Sequence, residues 1–265
     1  MAAMRLSVIT DEVDPDFEVA LRVCESLDVS GAEVRTIGGR NIVHHPPETV
    51  RRVRNALSAG GFSCPVVDTP FLKTRIEETA WADLDRGIEI ADTLGAGIVR
   101  LFSGLRLPQP ETALPWLADT LAESSRRAAD AGLTIALEIE FVCNVALAAE
   151  ARELLHRLPP DTVGLVWDPG NEARFLAARP DPAELKTVHE AVHHVHVKDF
   201  KDDWVRVGAG IVDWDAQLQA LIEIGYQGYL SMETHYATPD GGPAGATRDS
   251  VAALRELAAR RGVDL

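Results

Sequence analysis

The chain is short of cysteine, of positive charge and of long apolar runs, and each shortage removes a class of function. Its three cysteines, Cys24, Cys64 and Cys143, are an odd number with no C-x-x-C pair. They read as reduced core residues of a cytoplasmic protein, not as a disulfide frame or a zinc knuckle. No apolar run approaches the roughly 20 residues that span a bilayer. Residues 1–5 run almost straight into the first predicted strand, which leaves no room for a signal peptide. Lys and Arg number 26 against 41 Asp and Glu, a formal net charge of −15. Such a surface repels phosphate backbones and anionic membranes, so neither nucleic acid nor membrane is an expected partner. The turn after the first predicted strand, TDEVDPD, contains no glycine, unlike the phosphate-binding turn that opens a doubly wound sheet.

What is present is an ordinary globular balance, 46% hydrophobic and 25% charged over 265 residues, arranged as a repeated alternation of short strand and amphipathic helix. Strands are predicted over residues 6–10, 31–36, 64–69, 97–102, 133–140, 163–168, 193–198 and 229–235. Helices are predicted over 15–27, 47–59, 77–94, 111–131, 145–157, 182–191, 215–224 and 247–261. Eight such units with no linker and no low-complexity segment predict one closed (β/α)8 TIM barrel, a single domain over residues 1–265.

The side-chain parity of four strands then points to a site. In residues 192–200, VHHVHVKDF, His194, His196 and Lys198 share one face and Val195 and Val197 the other. The same alternation sets Glu138 and Glu140 apart from Ile135, Leu137 and Ile139 in LTIALEIE. It sets Asp168 apart from Trp167 in VGLVWD, and Glu233 and His235 apart from Leu230 and Met232 in YLSMETH. A barrel builds its active site at the C-terminal strand ends, so Glu138, Asp168, His196 and Glu233 are expected to converge there. Three carboxylates buried together repel one another and lose their hydration. Either a divalent cation relieves this, for which mixed oxygen and nitrogen donors suit Mn, Mg, Co or Zn, or the acids pair with Lys198, Arg100 and Arg35 in a buried network.

Other residues carry two readings each. Lys198 contacts substrate or pairs with Asp199 or Glu140; Asn171 donates to a substrate hydroxyl or finishes a turn. Glu140 and His235 touch substrate or end a solvated strand, and Arg100 and Arg35 hold an anionic group or pair with Asp68 and Glu33. Trp204 is the best stacking platform for a sugar among the tryptophans. The glycine-rich stretch TPDGGPAGAT after the last strand lies where many barrels hold phosphate, but it lacks a lysine.

The runs ALEIE, VGLVWDPGN, VHHVHVKD, GAGIVDW and LIEIGYQGYLSMETHY carry a resemblance to the sugar phosphate isomerase/epimerase family, the xylose isomerase-like barrels. The resemblance covers the chain from the first strand to the last helix. It implies one divalent metal held by Glu138, Asp168, His196 and Glu233, with Glu138 and Glu233 doubling as acid and base. It further implies a small-molecule carbohydrate substrate contacted by Glu140, Asn171, Lys198, His235, Arg100 and Trp204, and a homodimer as the candidate assembly. Two departures touch the substrate: the family's Glu-Asn-His of strand five reads Glu138-Ile139-Glu140 here, and Asn171 stands where several sugar epimerases have histidine. The implied chemistry is isomerisation or epimerisation by proton transfer through a metal-held enediolate. A lyase of the inosose dehydratase type is the alternative. An endonuclease-like hydrolase would need histidines where strands three and four offer Asp68 and Arg100, and a non-catalytic sugar-binding barrel is the remaining reading.

Overall fold

The computed structural model describes residues 4–265; Met1, Ala2 and Ala3, which the expectation about a signal peptide includes, lie outside the described residues. Eight strands line up in one parallel sheet: β1 (Arg5–Ile9), β2 (Gly31–Glu33), β3 (Val66–Asp68), β4 (Ile98–Leu101), β5 (Thr134–Glu138), β6 (Gly164–Trp167), β7 (Val192–Val197) and β8 (Tyr229–Met232). Their order in space is β2-β1-β8-β7-β6-β5-β4-β3. The two end strands meet through the parallel bridges Gly31↔Ser63 and Val34↔Val67, with Val34 N donating to Val66 O at 3.2 Å and Asp68 N to Val34 O at 2.9 Å. The sheet is thereby a single (β/α)8 TIM barrel.

Helices α1 (Phe17–Ser26), α2 (Pro47–Gly60), α3 (Trp81–Leu94), α4 (Leu114–Ala129), α5 (Ala148–Leu155), α6 (Pro169–Leu176), α7 (Trp214–Glu223) and α8 (Gly242–Arg260) follow the strands in turn. Local chemistry starts several of them. The Asp16 carboxylate accepts from the backbone N–H of Glu18 and Val19 at the head of α1, and Asp213 does the same for Ala216 in α7. No helix among the described residues is long and apolar enough to cross a membrane.

Unit six departs from the sequence expectation. Residues 182–191 form two 3-10 segments, Pro182–Thr187 and His189–Ala191, and the α-helix of that unit is α6, directly after β6. The cause is local: Asp168 accepts from Asn171 N at 2.9 Å and Pro169 occupies the first helical turn, a strong start signal. The last helix begins at Gly242 instead of residue 247, so much of the glycine-rich stretch is its first turn and not an open loop.

The alternation along each strand divides the barrel. Val8, Val67, Val99, Leu137, Leu165, Val195, Val197, Leu230 and Met232 are fully buried on one face, against the helices. Each contributes about 1.5–3 kcal/mol by leaving water. The other face is polar yet equally buried: Glu33, Asp68, Arg100, Glu138, His194, His196, Lys198 and Glu233 are all at most 4% exposed. A barrel interior is usually filled by branched aliphatics, so this one is specialised.

Packing at the seam tolerates no side chain at Gly31, where an added Cβ would lie 2.7 Å from Ser7 Cβ and 2.9 Å from Leu6 O. Gly31→Ala is expected to destabilise the fold by about 1–3 kcal/mol, read as a lowered urea midpoint at unchanged slope; an unchanged midpoint would contradict this packing.

Candidate metal and sugar site

Four strand ends bring four donors to one point. Glu138 is the last residue of β5, Asp168 the residue after β6, His196 lies in β7, and Glu233 follows β8. One ligand atom from each lies within 4.8 Å of the others. His196 Nδ1 is 3.3 Å from Glu138 Oε1, 3.4 Å from Glu233 Oε2 and 3.7 Å from Asp168 Oδ2. Its other nitrogen, Nε2, is 3.1 Å from Glu33 Oε1, and Glu33 Oε2 is 2.9 Å from His194 Nε2.

Cations surround this acidic group. Lys198 Nζ, on the same strand as His196, is 2.7 Å from Asp168 Oδ2 and 2.5 Å from Glu233 Oε2. The expected partners of Lys198 are therefore corrected. Asp199 points the other way and accepts from the backbone of Phe200, Gly208, Gly210 and Val212, while Glu140 pairs with Lys73 at 3.0 Å. Arg100 Nε lies 2.7 Å from Asp68 and 3.2 Å from Glu138 Oε2, so it pairs as expected and also reaches the cluster. Arg35 does not pair with Glu33. Its guanidinium bonds Asp11, Glu12 and Glu233, because Glu33, two residues earlier, lies one side-chain layer deeper in the barrel and is taken by the two histidines.

Burial and charge act against each other on every member. Burial pushes the Glu233 carboxyl up, but Lys198, His235 and His196 outweigh it and hold it well below the usual carboxylate range. Burial also raises Glu138, yet Arg100 and His196 bring it down to about 2. Desolvation works against a charged His196, and Glu33 and Glu138 overcome it, so its pKa is raised well above the ordinary value. Asp68, where burial dominates Arg100, is pushed up to about 7.

The donor set suits a divalent cation. Asp168 Oδ2 is buried with no aligned hydrogen-bond donor, although the Lys198 ammonium sits 2.7 Å away. That ammonium, held between carboxylates of two strands, shows that the pocket among Asp168, Glu233 and His196 accepts positive charge. Three carboxylates and one imidazole are hard-to-borderline donors of the kind Mn, Mg, Co and Zn take.

Above this cluster lies a cavity of about 470 Å³, within the range of small-ligand sites. Of the four donors, Glu138 and Glu233 line it, while Asp168 and His196 lie beneath. Glu140, Arg100, His235 and Trp204 line it too, as expected of substrate contacts. Lys198 and Asn171 are not among the residues that line it. Asn171 is fully buried and donates to Glu138 Oε1 at 3.2 Å and Ile139 O at 3.0 Å, bracing Glu138 from below. Trp204 sits on a hairpin, Asp199–Lys201 with Asp203–Val205, its ring 5.2 Å from His235 and 5.4 Å from Phe200. The Arg174 guanidinium packs over Phe141, Trp204 and Phe200 and holds that aromatic wall together.

Four site residues escaped the strand reading. Asp11 and Glu12 lie in the 3-10 turn Thr10–Glu12 after β1, and Lys73 on the loop after β3, where a period of two has nothing to say. Glu33 was within reach, since it shares the inward parity of Arg35 on β2.

The profile of the family described as "Xylose isomerase-like TIM barrel" matches residues 21–257. The chain is 34% identical over 129 residues to the inosose isomerase of Bacillus subtilis (strain 168), a match covering 43% of this chain. It thus spans 45% of the length of that curated relative. The solved structure of the IOLI protein with a binding zinc atom superposes with a TM-score of 0.80 at 22% identity, covering 97% of this chain and 99% of that one. The 3-keto-D-glucoside 4-epimerase YcjR from E. coli gives 0.76 at 19% identity, covering 97% and 100%. With a closed parallel barrel and a family match over most of its length, the chain belongs to the xylose isomerase-like TIM barrel family.

Proposed function

We propose that the chain is a divalent-metal-dependent isomerase or epimerase of an uncharged keto-sugar or sugar derivative. The observation that carries the reading is the division of labour among the four donors: all converge, but only the two glutamates among them reach the cavity. Residues that both hold the cation and meet substrate are the ones placed to move a proton. The zinc of a structural neighbour and the inosose isomerase and epimerase names of others support the same reading.

Glu138, Asp168, His196 and Glu233 would hold the cation. When bound, it supplies Lewis acidity toward a carbonyl oxygen and the neighbouring hydroxyl. One of the two glutamates, Glu138 or Glu233, both held ionised at neutral pH, would take the proton from the carbon beside the carbonyl, giving an enediolate. A solvent proton delivered through the opposite carboxyl would invert that centre; return of the abstracted proton by the same carboxyl to the adjacent carbon would move the carbonyl. Arg100, beside Glu138, offers donors to the developing oxyanion, and the Trp204 wall presents an apolar face to the sugar ring and excludes water.

The absence of charge on the substrate follows from the wall. Its basic side chains among the described residues, Arg35, Lys73, Arg100 and His235, are each already paired with carboxylates. An added phosphate would meet Glu138, Glu140 and Glu233 with no free cation to offset them.

Elimination is a second reading that one observation favours. Burial and the nearby Glu138 raise the Glu140 carboxyl above its ordinary pKa, which suits it to protonate a departing β-hydroxyl.

The test is incubation with a panel of ketoses and cyclic polyol ketones in deuterated water with Mn²⁺. Deuterium washed in without loss of water is the expected result, abolished by a chelator and restored by the metal. Loss of water would assign the lyase reading, and no exchange on any member of the panel would overturn both.

A further inference from the structure

Behind His196 lies a second group, Glu33 with His194 and His196 itself, of which the proposed chemistry uses His196 alone. Its atoms also lie within 4.8 Å of one another, and all three side chains are at most 1% exposed. Glu33 comes from β2 and the histidines from β7, so the contact crosses the barrel interior. Each Glu33 oxygen has its own imidazole: Oε2 is 2.9 Å from His194 Nε2 and Oε1 is 3.1 Å from His196 Nε2. The two rings stand edge to face, 89° apart with centroids 5.3 Å from each other. Neither ring can rotate without losing its share of the carboxylate.

We propose that Glu33 is a positioning residue: by accepting from His196 Nε2–H it fixes the tautomer and ring orientation that leave the Nδ1 lone pair facing Glu138, Asp168 and Glu233. This rests on the metal reading above and goes beyond it to the residue that sets the donor's quality. The chemistry is simple. A carboxylate only accepts, so the imidazole nitrogen facing Glu33 must carry the proton. Without a cation the surrounding acids keep a proton on each ring nitrogen of His196; a bound cation displaces the Nδ1 proton to solvent, and with the remaining proton held on Nε2 the cluster-side nitrogen donates its lone pair. The negative charge behind the ring also makes that lone pair more basic, and loss of such a partner typically weakens metal affinity by about 10–100-fold. His194 has the complementary part. By occupying Oε2 it stops the Glu33 carboxylate from swinging, so that Oε1 stays on His196.

Two measurements on the full chain decide this. The first is Zn²⁺ affinity by chelator competition for the wild type and for Glu33→Gln, with metal-free melting temperature as the check on folding. A loss of about 10–100-fold in affinity by a folded variant is expected, whereas affinity equal to wild type overturns the proposal. The second needs no variant and stands if Glu33→Gln fails to fold. In Zn²⁺-loaded, histidine-labelled wild type, nitrogen NMR should show His196 protonated at Nε2, with a slowly exchanging proton. A proton at Nδ1 overturns the positioning role while leaving the metal centre in place. Wild type that binds no Zn²⁺ overturns the metal centre itself, so the two failures are distinguishable.

Discussion

Glu233→Gln should slow deuterium wash-in by about 10²–10⁴-fold, the usual contribution of a positioned general acid or base. Glutamine keeps the shape of the carboxylate and one accepting oxygen but cannot take a proton at neutral pH. Glu233 is the side chain on which the site's charges converge: Arg35 Nη1 is 2.6 Å from Oε1, His235 Nε2 is 3.2 Å from the same oxygen, and Lys198 is 2.5 Å from Oε2. These partners overcome burial and keep it ionised far into acid. The rate has to be read at saturating Mn²⁺, with metal affinity measured in parallel, so that loss of a ligand is separated from loss of a base. An exchange rate within a few-fold of wild type under those conditions would remove Glu233 from the proton path and leave it a ligand alone.

Lys198→Met should cost about 3–5 kcal/mol of stability in chelator-treated protein, and added Mn²⁺ should recover much of it. Methionine matches the lysine stem in length, so the effect is one of charge and not of volume. The ammonium is 1% exposed and lies between Asp168 and Glu233; burial works against its charge, but the surrounding acids raise its pKa. Removing one side of such a buried group leaves carboxylates uncompensated, which is the expensive case. A bound cation would supply the missing positive charge by mass action on the folded state. Guanidinium unfolding with and without Mn²⁺ reads both effects. Equal stability of variant and wild type in chelator would show that the carboxylates are neutralised by other means.

Much of this is legible in the sequence because a strand's period of two is rigid. Once eight strand-helix units were counted, the inward face of β5 to β8 was decided by alternation, and Glu138, Asp168, His196 and Glu233 followed. Partner choice was less accessible. Which carboxylate receives Arg35 depends on depth along the barrel and on stagger between strands, and neither is written in one strand's sequence. Glu33 therefore looked like the neighbour of Arg35 when it serves His194 and His196 across the interior. Loop residues were out of reach for a different reason: Lys73 finds Glu140 only because the chain folds back after β3. The helix of unit six was missed because the N-cap role of Asp168 competed with its role as a strand end, and both are real.

The seam between β2 and β3 has a consequence for how the molecule divides its work. That closure rests on isolated bridges and not on a continuous ladder, whereas β5 through β8 are joined edge to edge in unbroken register apart from one shift between Leu165 and Val166. All four proposed ligands sit on this well-laced side. Arg35 and Asp68 flank the looser join. Any parting of the staves at that join would shift Arg35 at the mouth relative to the buried Asp68, while the quartet of donors keeps its mutual spacing, as a split hoop lets one joint of a cask work without disturbing the opposite boards.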